Sequence, residues 1–163
     1  MRRPYSEGDE LSRRVTNLLR GKNAADAVIA LTDVYTGLQD FKDGDDAKKK
    51  MKSWAGDEPR FYPHVALYDF EARLLPFWPT VQGLAGSNRA SPATNPKTVN
   101  HINPPPHVLA EVFRTGTKGK SCVKPRDALR ILRNKELTVA ANVCPELKSF
   151  RNTIITLAGG PPL

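Results

Sequence analysis

Phe61-Tyr62-Pro63-His64-Val65-Ala66-Leu67-Tyr68-Asp69-Phe70-Glu71-Ala72-Arg73-Leu74-Leu75-Pro76 is the stretch on which the fold turns. Val65, Tyr68, Ala72 and Leu75 recur at helical spacing, whereas Val65 to Phe70 taken alone also suits a buried strand. Pro63 fits the first turn of a helix and Pro76 its end, so the balance predicts a helix over 64–75 and a mainly α fold.

Toward the N-terminus the helical reading continues. Ser6-Glu-Gly-Asp9 is an N-cap with an acid three residues on, and Leu11, Val15, Leu18 and Leu19 follow on one face until Gly21. Asn23-Ala-Ala-Asp26 is a second capping signal, after which Val28, Leu31, Tyr35 and Leu38 line a helix ending near Asp40. An antiparallel helical hairpin with Leu18 and Leu31 in its core is expected. Acids at 43, 45 and 46 followed by lysines at 48, 49, 50 and 52 suit the macrodipole of a short helix running to Trp54.

Toward the C-terminus the character changes. In residues 83–106, 15 of 24 are Gly, Pro, Ser, Thr or Asn, too few apolar groups for a core, so the segment reads as an extended arm or linker. Val108, Leu109, Val112 and Phe113 then share a helix face. Thr115 to Lys124 is a Gly- and Lys-bearing loop. Pro125 opens a helix to about Asn134 with Ala128, Leu129 and Leu132 expected inward and Arg126, Arg130 and Arg133 in a stripe outside. A last helix from Pro145 is expected to bury Leu147, Ile154 and Leu157. The predicted architecture is a small mainly α domain with a long Pro/Asn/Ser-rich extended arm and a basic loop-helix. Its parts are a helical core lobe (1–82), the arm or linker (83–106), and a basic helical lobe with a short tail (107–163).

The charge is strongly localised. Residues 1–72 hold 12 Lys and Arg against 13 acids, and residues 73–163 hold 13 against 4. Arg114, Lys118, Lys120, Lys124, Arg126, Arg130, Arg133 and Lys135 stand against the single acid Asp127 within 114–135. A polyanion is the partner such asymmetry serves, because each cation near a phosphate releases condensed counterions. A solvated helix face is the alternative for the arginine stripe, but it lacks the interspersed acids such faces carry. The lysines at 48–52 do have acids beside them and read as a solvated face. The aromatics Trp54, Phe61, Tyr62, Tyr68, Phe77 and Trp78 read as core, with stacking on bases as their alternative role.

Several chemistries fit poorly. Gly116-Thr-Lys-Gly-Lys-Ser121 lacks the first glycine of a phosphate-binding P-loop, whose place is held by Arg114, and Pro125 interrupts the helix such a loop must open. His64, His101 and His107 are scattered, and no Ser or Cys stands in a nucleophile setting. Cys122, Cys144, His101 and His107 have no zinc-ligand spacing, so no metal or other cofactor is expected. Two cysteines suit free thiols in a reducing compartment. The opening residues lack an apolar signal core and no run reaches a membrane span's length, so a soluble intracellular protein is expected, free or within a virion or ribonucleoprotein particle.

These features read as a non-enzymatic, RNA-binding structural protein of the nucleocapsid or coat type that self-associates on nucleic acid, RNA being favoured over DNA. A small nucleic-acid-binding regulator is the first alternative. An enzyme using His64, Asp69 or Glu71 is the second, and a membrane-surface protein the third.

Overall fold

A computed structural model describes residues 7–34, 41–67, 70–92, 104–119 and 121–163. It is mostly helical with one two-stranded sheet. The chain divides into two compact units, Met1–Ala66 with Ser149–Leu163, and Leu67–Lys148.

In the first unit, α1 (Glu7–Leu19) buries Val15 and Leu19. α2 (Gly44–Trp54) starts where Asp43 accepts a hydrogen bond from the Asp46 N–H at 2.8 Å. Ion pairs Asp45–Lys48 and Asp46–Lys50 run along α2, and Ala47 and Met51 are buried beneath it. Leu18, expected in the core, is 53% exposed. The inward face of α1 runs through Leu11, Val15 and Leu19, and Leu18 lies just past its edge.

The expected helices over 23–40 and 64–75 are corrected. Residues 28–34 form strand β1 (Val28–Val34) and residues 61–67 strand β2 (Phe61–Leu67). The Val28 N–H donates to the Arg60 carbonyl at 2.9 Å, so the strands start side by side and run parallel, joined by a crossover containing α2. Helical spacing in these segments is overridden by β-branched Val28, Ile29, Thr32 and Val34, which fit a pleated surface packed on one side. Val28 and Ala30 pack inward beside Phe61, while Leu31 points out at 46% exposure. Pro63 is tolerated because each strand of a two-stranded sheet is an edge strand.

The second unit opens with the 3-10 helix Phe70–Phe77, in which residues 71–75 and Phe77 are buried, and α3 (Trp78–Ala85). Then come α4 (Pro105–Thr115), α5 (Lys124–Leu132) and α6 (Leu137–Val143). Val108, Leu109, Val112 and Phe113 of α4 are buried on one face, against Leu74, Val81 and Ile131. The final helix, α7 (Pro145–Leu157), has no fully buried residue, and Ile154 and Leu157 are each 44% exposed rather than buried as expected. Of the expected arm, residues 83–85 finish α3, 105 and 106 open α4, and 93–103 lie outside the described residues. Among the described residues no helix is long and apolar enough to cross a membrane.

Candidate functional site

The basic segment is built from the end of α4, a loop and α5. Gly116 caps α4, its N–H donating to the Val112 carbonyl at 3.0 Å. A Cβ here would stand 2.2 Å from the Ala85 carbonyl oxygen, so only glycine lets the loop approach the end of α3 this closely. The Thr117 N–H and hydroxyl both donate to the Gly86 carbonyl, at 2.9 and 3.0 Å. Lys118 Nζ donates to the Gly83 carbonyl at 2.8 Å, placing an ammonium at the negative end of α3. The Gly/Lys run that resembles a phosphate loop in sequence is thus a clamp on a helix C-terminus, and Lys118, although exposed, is tied to it.

α5 carries the arginines. Asp127 lies beneath them with no exposed side-chain surface, and its carboxylate accepts four hydrogen bonds. Arg126 gives two, from Nε at 3.0 Å and Nη2 at 2.8 Å. Arg130 Nη1 gives a third at 3.1 Å, and the Val123 N–H a fourth at 2.8 Å. The last satisfies an orphan N–H at the start of α5. The Arg126 guanidinium first, then the Val123 N–H and Arg130, hold the Asp127 carboxyl at about 2, below its usual 3.8, against the burial that would raise it.

The inward face of α5 is therefore corrected. Asp127 and Ile131 are fully buried, Ala128 and Leu132 partly so, and Leu129 is 63% exposed within the arginine face. Burying an aspartate contradicts its usual preference for solvent, and a sequence reading discounts it. The visible signal is its placement next to Arg126 and three residues before Arg130. Of the expected contact residues, Arg114, Lys118, Arg126, Arg130, Arg133 and Lys135 are exposed. Lys124 lies in the first turn of α5, and Lys120 lies outside the described residues.

His64 is buried in β2 with Nε2 2.9 Å from the Thr153 hydroxyl and its ring edge-on to Phe150, while Asp69 lies outside the described residues. Glu71 belongs to the second unit. Phe61, Phe77 and Trp78 are buried, Trp78 Nε1 donating to the Arg89 carbonyl, so these three offer no stacking surface, and Tyr68 lies outside the described residues. Among the described residues no cluster of three His, Cys, Asp or Glu side chains could hold a metal ion. A cavity of about 60 Å³ with walls of Leu74, Leu109 and Ile131 has Glu71 and Cys122 at its polar side, too small for an organic ligand.

The model of a family described as a domain of unknown function, DUF4276, matches residues 4–155 of the chain. No curated protein and no solved structure matches it.

Proposed function

The chain belongs to the DUF4276 family, whose description assigns no activity, and from its own residues we propose that it is a nucleic-acid-binding protein, RNA being favoured, that uses the outward face of α5 and the exposed turn after it. One observation supports this reading above others. The only acid of residues 114–135 is fully buried, while six of the bases are exposed, so this stretch presents cations to solvent and hides its counter-charge. A phosphate backbone is the commonest ligand that rewards such one-sidedness.

Arg130, Arg133 and Lys135 are the residues for phosphate. Arg130 spends only Nη1 on Asp127, leaving its Nε/Nη2 edge for a bidentate contact. Arg126 and Lys118 contribute charge but are already committed to protein acceptors. Self-association on RNA in the coat-protein manner is the larger form of the reading, and a discrete regulator the smaller.

Fluorescence anisotropy with labelled RNA across a salt series tests it. The variant Arg130→Gln/Arg133→Gln/Lys135→Gln is expected to weaken binding and to flatten the plot of log affinity against log salt by about 0.7–0.9 for each phosphate that is no longer neutralised. An unchanged slope overturns the assignment. Light scattering of the RNA complex separates the two forms, since a coat-type protein grows into large particles and a regulator stays small.

A further inference from the structure

Two features of α5 are unexpected for a surface that meets phosphates alone. The first is Arg126. Its Nε and Nη2 both bond to the buried Asp127 carboxylate, and Nη2 also reaches the Ser121 carbonyl at 3.5 Å. The Nε/Nη2 edge is therefore occupied, and the Ser121 contact takes the Nη2 proton that the other bidentate edge needs, yet 49% of the side chain is exposed. What remains for a ligand is the flat face of a guanidinium held rigid by an ion pair, together with its Nη1 group. A guanidinium so held is a stacking platform for planar, electron-rich rings.

The second is Leu129, one turn along the same face and at 63% the most exposed of the large hydrophobic side chains described. A leucine contributes nothing to a phosphate and is unfavourable in water. It lies three residues after Arg126 on the solvent side of α5, followed by Arg130 at 44% exposure and by the exposed Arg133 at the helix's C-cap.

Resting on the nucleic-acid reading above, we propose that this face takes a single strand rather than a duplex. Unstacked bases lie on the Arg126 plane and Leu129, and the phosphates lie on Arg130, Arg133 and Lys135. The charge complementarity favours a polyanion, and the fixed guanidinium plane and the exposed leucine favour one that also offers exposed ring faces. A duplex hides its base faces in the stack, and the edges in the A-form major groove are out of a side chain's reach, so single-stranded nucleic acid is the ligand that meets both demands.

The test compares full-length protein binding to oligouridylate and oligodeoxythymidylate of about 15 nucleotides, to blunt duplexes of equal length, and to heparin as a charge-only probe. The single strands are expected to bind about tenfold more tightly than the duplexes at about 0.15 M salt. Leu129→Ser, and Arg126→Lys, which keeps the charge but loses the plane, should each weaken single-strand binding about fivefold or more. Neither should change the salt slope or heparin binding, because no charge is removed, and melting temperatures of both variants establish that they fold. Duplexes binding as tightly as single strands, or folded variants binding single strands like the wild type, overturn this inference and leave the nucleic-acid reading standing. Binding to heparin or to nothing, with neither nucleic acid preferred, overturns both.

Discussion

Asp127 shows how much one side chain decides here. Its pKa is depressed in the folded state, so its contribution is fully present above the unfolded value near 3.8 and is lost as pH falls toward about 2. The difference corresponds to about 2 kcal/mol at neutral pH. Urea unfolding of the wild type and of Asp127→Asn at pH 5 and pH 2.5 should show the variant less stable at pH 5 and the gap closing at pH 2.5. A gap that stays constant would mean that the carboxylate's charge is not what holds α5. Gly116 is decisive for a different reason: with the Ala85 carbonyl 2.2 Å from where a Cβ would sit, Gly116→Ala must push the loop off α3. It should cost about 1–3 kcal/mol, in the range of overpacking changes. Gly83→Ala, in α3 itself but with nothing within 4 Å, should be neutral or stabilise by about 0.5–1 kcal/mol. Thermal melts of the pair check the contrast, and equal losses would remove the close approach as the explanation.

Among elements, α2 was legible because its cap and charges agree, and α1 and α4 because their apolar residues keep a helical period. The two strands were not. Val28 and Leu31 fall at helical spacing with Tyr35 and Leu38, which lie outside the described residues, yet what makes residues 28–34 a strand is a hydrogen-bonded neighbour beginning at residue 61. No local window contains that partner. Neighbouring leucines of α1 give a sharp check on the face it buries. Leu19→Ala, at 4% exposure, should cost about 2–5 kcal/mol, whereas Leu18→Ala, at 53%, should stay within about 0.5 kcal/mol. Chemical denaturation distinguishes them, and the reverse order would mean that the helix is rotated about its axis.

At the scale of the whole molecule, the first compact unit is discontinuous in sequence, because residues 149–163 belong with 1–66. His64 in β2 meets Thr153 and Phe150 of α7, so removing residues 149–163 uncovers a buried imidazole. Hydrogen exchange on a chain ending at Lys148 should show weakened protection in α1, β1 and β2, with α4 of the second unit retaining its own. Equal weakening in both units would show that they fold as one cooperative body. The sequence by itself determined the mainly helical character, the basic segment at 114–135 and the ends of α5 within two or three residues, because composition, charge and capping are local quantities. Only the tertiary structure decided that residues 28–34 and 61–67 pair as strands, that Lys118 is tied to α3, and that Asp127 turns inward while Leu129 turns out. Each of these depends on a partner far along the chain or on a buried ion pair whose favourable interactions outweigh desolvation, and neither is encoded in the periodicity of the segment itself.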